Sequence, residues 1–400
     1  MRKTGSSHIE TLPELKELTR EYIDLAYYDG RDVQFKEPVR VVKSAEKILK
    51  SLPSKKYFEL PDIYFFIYGE LVSISSTLSS SGKLTELLTQ EKIAEHQDKI
   101  TKKLLSYPRE YQVFILLPMV HISLDQPLII SDTVSIIKAD ATLVSRLPII
   151  KWRAVPLRLC EGALYLRFKI KGFFGITMSS SQEKVKSEYK RILASLIATN
   201  FLVKGSEIGI GQANMSMPIR TFIYCLNDDS EALSFELSLP ESNLLQQLYC
   251  SNISGDSLRS YFTATNLSTL FHSNPHLQPD ERSQIDRVRT SLEWYFEGLI
   301  SENQTFSFIL FCTAVEALLG SEKDQSNITQ RLSDRISFLI ARSVMEREAI
   351  RKDFSDAYDL RSDIIHRGKS KLSRKEVKWL FFVRHSLEEA IRKEMLLLPR

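Results

Sequence analysis

The stretch LPELKELTREYIDLAYY places Leu15, Leu18, Tyr22 and Leu25 at three- and four-residue spacing, an amphipathic stripe that predicts a helix. VVKSAEKILKSL and KLTELLTQEKIAEHQDKITKKLL continue the same rhythm. Between them ISSTLSSSG (74–82) reads as a helix end and a loop. Residues 1–106 are therefore expected to form a helical N-terminal segment. The texture changes from about residue 111. YQVFILLPMVHISL, TVSIIKAD and ALYLRFKIKGF are β-rich runs bounded by Pro, Gly and Asp. In the last of them Leu164, Leu166, Phe168 and Ile170 alternate with Tyr165, Arg167, Lys169 and Lys171, the pattern of a half-buried strand. A helix is expected at 181–202 and strands at 218–226 and 232–240, which makes 107–240 a mixed α+β domain.

After about residue 241 the pattern is helical to the end. Residues 241–280 read as a helical connector, and HSNPHLQPDERS (272–283), with two prolines, separates it from the last block. Five helices follow. They cover 282–302, 304–320 with Gly320 as a natural stop, 327–344 capped by Asn327 or Thr329, Arg347 to His366, and a last one from near Ser373. The last helix carries Val377, Leu380, Phe381, Leu387, Ile391 and Met395 on one side. Short loops between helices of this length predict an up-and-down bundle over 281–400. The expected fold class is α+β, ending in an all-α helical domain.

Composition narrows the class. Of the 400 residues 43% are hydrophobic and 26% charged, as in a folded globular protein. No apolar run approaches the ~18 residues of a membrane span. The basic N-terminus lacks the apolar stretch of a signal peptide, so a cytoplasmic location with no membrane partner is expected. Cys160, Cys225, Cys250 and Cys312 lie tens of residues apart, without the paired spacing of a zinc or redox site. IGIGQAN (208–214) lacks the third glycine or following lysine of a phosphate loop. No metal or other cofactor is expected. The net charge of +4 says little, but its distribution says more. Between 361 and 378, seven basic residues face two acidic ones, Asp363 and Glu376, a local excess of +5 that attracts phosphate or simply solvates a loop. Arg153, Arg158, Arg167, Lys169 and Lys171 add positive charge to the α+β region.

The densest chemistry lies in YDLRSDIIHRG (358–368). Phe354, Ala357, Tyr358, Ile364 and Ile365 follow the rhythm of a buried face, and Arg361 falls on the same stripe. A cation there is costly unless it is paired or reaches solvent. Its candidate partner is Glu316, beside the stripe of Phe308, Cys312, Val315 and Leu319. His366 lies five residues further on, about 500° of ideal helix, so it points ~140° away from Arg361. The two converge if the helix ends or unwinds near His366, or if two copies meet. Otherwise His366 is a contact to the helix C-terminal dipole.

The order SLEWYFEGL, FCTAVEALLG, QRLSDRISFLIA and YDLRSDIIHRG resembles the HEPN superfamily, most closely its Apea-like branch, over about residues 281–400. The resemblance implies a metal-independent endoribonuclease of bacterial anti-phage defence or toxin systems. Its motif is an arginine, an adjacent polar residue and a later histidine, here Arg361, Ser362 and His366. Glu316 and Asp363 are the supporting residues, and Arg367, Lys369, Lys371 and Arg374 are expected to track RNA, tRNA included. A homodimer that joins two motifs in one cleft is implied, with a phage or host trigger sensed by the N-terminal region. Ser362 departs from the Asn, Asp or His common at its position. The alternative is an inactive HEPN module that serves dimerisation and partner or RNA binding.

Overall fold

Those amphipathic stripes are helices in the computed structural model, which describes residues 7–118, 120, 124, 126–152, 155–174, 180–205, 218–226, 228, 231–250, 266–271, 277–320 and 327–398. The glycine pair at 208–214, Arg153, and part of the proline-bearing segment (272–276) lie outside the described residues. The fold is mixed α+β with a helical C-terminal region. The chain forms two compact units, residues 1–111 with 170–186 and 225–231, and residues 112–169 with 187–224 and 232–400. No helix among the described residues is long and apolar enough to cross a membrane. All four cysteines are free, and Cys160 is exposed rather than buried.

The first unit contains α1 (Ser7–Asp24), α2 (Pro38–Ser51), α3 (Leu60–Ser75), α4 (Leu84–Leu87) and α5 (Gln90–Leu105). Leu15 and Tyr22 are fully buried with Val41, Ile48, Ile67 and Ile100, while Leu18 and Leu25 pack against this core in part. The expectation of an all-helical segment is corrected by a small antiparallel sheet of β1 (Ala26–Tyr28), β2 (Val33–Phe35) and β3 (Gly82–Lys83), in the order β2-β1-β3. Its turn is chemical. The Asp29 carboxylate accepts the backbone N–H groups of Arg31 and Asp32, both at 2.8 Å, and Gly30 takes the left-handed φ of 95°.

A six-stranded sheet comprises β4 (Arg109–Leu116), β5 (Leu128–Ile129), β6 (Val134–Lys138), β9 (Leu164–Gly172), β11 (Arg220–Cys225) and β12 (Ala232–Glu236), in the order β12-β11-β4-β9-β6-β5. A separate hairpin joins β7 (Ile150–Trp152) to β8 (Val155–Leu157). Lys169 faces solvent as the alternation predicts, but Tyr165 does not. It is buried with Phe114, Ile137 and Tyr224, and its hydroxyl accepts the Cys160 N–H at 2.9 Å, because α6 (Ala141–Arg146) brings Leu143 and Val144 onto that face. α7 (Ser180–Ala198) and α8 (Leu239–Gln247) follow. The chain is not helical throughout after residue 241. β13 (Leu248–Cys250) pairs antiparallel with β10 (Leu202–Lys204), and a three-residue apolar run decided by so distant a partner leaves no periodic signal.

The short helix α9 (Leu267–Phe271) precedes the C-terminal region, which consists of α10 (Pro279–Ile300), α11 (Gln304–Leu319), α12 (Ile328–Ile340), α13 (Val344–Arg367) and α14 (Val377–Leu396). Asn303 starts α11 by accepting the N–H groups of Thr305 and Phe306. α10 and α11 form a close hairpin. Ser291 donates to the Ala314 carbonyl at 2.8 Å and Ser307 to the Gly298 carbonyl at 2.7 Å. Gly298 permits that approach, since a Cβ there would stand 2.3 Å from the Phe311 ring. Gly298→Ala is expected to cost about 1–3 kcal/mol through overpacking, despite alanine's better helix propensity. A shift of the urea transition measures it, and an unchanged transition would mean that Phe311 swings clear.

Two apolar stripes are narrower than their periodicity suggests. Leu380, Leu387, Ile391 and Met395 of α14 are buried, but Phe381 is 59% exposed. On α13, Phe354, Ala357 and Tyr358 are buried and Ile365 is exposed. α14 itself begins at Val377, after a turn in which the Ser373 N–H donates to Glu376.

Half-buried charges meet here as well. From residue 187 onward, α7 lays Glu188 and Arg191 beside Arg289 and Glu293 of α10, with Arg191 2.6 Å from Glu293. Burial raises the Glu188 carboxyl above the usual carboxylate range. Arg289 donates to the Leu270 carbonyl at 2.9 Å. Nothing in the spacing of residues 188 and 289 announces this network.

Candidate active site

Local chemistry explains where α13 begins and ends. Ser343 caps its start by accepting the Glu346 N–H at 3.2 Å, and the Glu346 carboxylate accepts the Arg342 N–H at 2.7 Å. His366 and Arg367 occupy its last turn, and Gly368 ends it in the left-handed region at φ 69°. The buried face of Phe354, Ala357, Tyr358 and Leu360 docks the helix. The Tyr358 hydroxyl donates to the Cys312 carbonyl on α11 at 3.2 Å.

Arg361 follows Tyr358 by three residues and so stands one turn along the same side. Its Nη2 contacts both carboxylate oxygens of Glu316, at 3.0 and 3.1 Å. The arginine side chain is 25% exposed and the glutamate 29%, which places the pair at the rim of the core. One nitrogen therefore serves the carboxylate, where a bidentate pair would use two. Nε is buried without a hydrogen-bond partner, and Nη1 is uncommitted among the described residues. Burial raises the Glu316 carboxyl above its ordinary range, opposed by the Arg361 charge and by the Tyr358 hydroxyl. Burial also pushes the Tyr358 hydroxyl and the Cys312 thiol well up, so both remain neutral around the ion pair.

The structure brings Arg361 and Glu316 together and leaves His366 elsewhere. The helix ends at Gly368, but too late to turn His366 toward Arg361, because α13 stays helical through Arg367. The ~140° between the two side chains therefore persists within one chain. His366 and Ser362 are exposed on the outer side of the helix. Asp363 pairs with Arg367 at 3.2 Å in an exposed i,i+4 contact.

The basic residues divide in two. Lys369 is paired with Glu376, whose carboxyl is held down to about 2 by that lysine and by the Ser373 N–H. Arg367 is engaged by Asp363. Lys371 and Arg374 are exposed and without an ion pair among the described residues. In the α+β region, Arg167 is bound to the Ser135 hydroxyl at 2.9 Å and Lys171 to Glu110 at 2.7 Å, while Arg158 is exposed. Sequence reading missed Tyr358 and Cys312 as the frame of Arg361. The available signal was a tyrosine one turn before a core-facing arginine, since a buried hydroxyl needs a polar partner nearby.

Comparison with family models, with curated proteins and with solved structures finds no match to this chain, so the functional reading rests on the residues themselves.

Proposed function

We propose that the C-terminal helical region is a HEPN-type, metal-independent endoribonuclease, acting as an effector of bacterial anti-phage defence or as a toxin. The observation that carries the reading is Arg361. It is held at the core rim by a single nitrogen, with donor capacity left over, on a helix whose last turn exposes His366. In the reaction His366 takes the proton from a ribose 2′-hydroxyl. The freed oxygen attacks the adjacent phosphorus, the bond to the 5′ oxygen breaks, and that oxygen leaves as a hydroxyl after protonation. The products are a 2′,3′-cyclic phosphate and a 5′-hydroxyl end. Arg361 steadies the charge that builds on the phosphate oxygens, a role worth about 3–4 kcal/mol for a well-placed donor. Ser362 is exposed for a hydrogen bond to the same phosphate.

Arg361 and His366 point apart within one chain, so the reading requires a homodimer in which the arginine of one copy works with the histidine of the other. A second reading is an inactive HEPN module for dimerisation and partner binding, favoured by the completed Arg361–Glu316 pair. Purified protein incubated with total RNA and tRNA in EDTA tests the choice. Cleavage that leaves 2′,3′-cyclic phosphate ends is the expected result. Intact RNA, from a protein whose native mass is that of a dimer, sinks the nuclease and keeps the module.

A further inference from the structure

A second surface with two exposed arginines lies along α10. A groove of about 520 Å³ runs along α10, with Ser283, Arg287 and Thr290 on one helix row and Arg282 on the next. Residues spaced four and then three apart share a helix face, so this lining is continuous. The opposite wall is Ala317 of α11, and Leu277 and Pro279 close one end. Ala317 directly follows Glu316, the residue that grips Arg361. Their Cα atoms are about 3.8 Å apart and their side chains leave α11 about 100° apart, so the groove and the candidate phosphate-holding pair flank neighbouring faces of one helix.

The lining chemistry selects a ligand class. Arg282 and Arg287 are exposed, and neither is held by a carboxylate among the described residues. Asp286 also lines the groove, but its carboxylate lies 3.8 Å from Arg289. The Thr290 hydroxyl donates to the Asp286 carbonyl at 2.9 Å, so its oxygen is left to accept. Two arginines suit consecutive phosphates. An acceptor oxygen beside the arginines suits a ribose 2′-hydroxyl, the group that separates RNA from DNA. Ala317 keeps the opposite wall low.

We infer that this groove binds the single-stranded RNA that flanks the cut site and leads it to Arg361; the assignment of the cut site rests on the nuclease reading, whereas RNA binding by the groove does not. It adds Arg282, Arg287 and Thr290 as contacts separate from Lys371 and Arg374.

The test uses the full chain carrying His366→Ala, so that RNA stays whole, and a fluorescent single-stranded RNA oligonucleotide read by anisotropy across a salt titration. Adding Arg282→Ala and Arg287→Ala is expected to weaken binding on the order of tenfold near 0.1 M salt. The slope of log K against log salt should flatten by about 1.4, the share of two phosphate contacts on a single strand. Ala317→Phe, which fills the groove without changing charge, should weaken binding as well, and a DNA oligonucleotide of the same sequence should bind less well. Unchanged affinity and slope in both variants would overturn the inference. If the slope flattens while wild-type protein never cuts, the groove stands and the nuclease reading fails. If wild type cuts and the slope is indifferent to both arginines, the nuclease stands and the groove fails. Absence of any RNA binding overturns both.

Discussion

His366→Ala is expected to lower RNA cleavage by about 10²–10⁴-fold, the range for loss of a general base, with stability unchanged within about 0.5 kcal/mol, as for an exposed surface position. The intact last turn of α13 sharpens this prediction. Because Arg361 and His366 diverge by ~140° in one helix, each chain presents only half of a working pair. Two dead variants should therefore complement each other. A mixed dimer of His366→Ala and Arg361→Ala chains contains one intact arginine and one intact histidine, on opposite copies. Subunit exchange followed by an assay of the mixture should recover part of the wild-type rate. Verified mixed dimers that stay inactive would show that the composite cleft is wrong.

Arg361→Ala should lose cleavage by about 10²–10³-fold, the penalty of one missing transition-state donor, and should lose stability as well. Breaking a fully buried pair costs about 3–5 kcal/mol. Here both partners keep roughly a quarter of their surface in water, so about 1–3 kcal/mol is the reasonable expectation. The pH dependence follows from Glu316. Its folded carboxyl lies above the ordinary range because of burial, so the folded state binds its proton more tightly than the unfolded chain. The favourable contribution of that protonation is full below the unfolded carboxylate range and is lost as pH rises through the folded value. Removing Arg361 takes away the main opposing charge and raises the carboxyl further. The variant's deficit relative to wild type should be full at neutral pH and shrink as pH falls toward about 4–5. Thermal melts at the two pH values measure this. Adding Glu316→Gln should restore stability but not cleavage, which separates the guanidinium's structural work from its chemical work. If the double variant regains both, Arg361 has no role in the reaction.

The C-terminal helices were legible because they announce themselves locally. Phe308, Cys312 and Val315 repeat at helical spacing and are buried as that spacing implies. Gly320 ends α11 where the sequence places a stop, and α13 ends one residue beyond the expected His366. The Arg361–Glu316 pair was also legible, since a cation and an anion on two apolar stripes each need a partner, and each found the other. Elements decided by distant partners were not legible. The pairing of Leu202 with Cys250, the burial of Tyr165, and the meeting of Glu188 with Arg289 depend on segments brought together only by folding.

The amino-acid sequence by itself determined an α+β chain with a helical C-terminal region, an arginine committed to the core side of its helix, and a histidine at that helix's end. Helical periodicity, capping and turn chemistry act over a few residues, and those residues are adjacent in the chain. Only the tertiary structure decided that α13 stays wound past His366, that Glu316 takes one nitrogen of Arg361 and no more, and that Glu376 claims Lys369. It also decided that a groove with two uncommitted arginines opens beside Ala317. Such outcomes depend on which side chains from distant segments compete for the same charge, donor or space, and that competition exists only once the helices have packed.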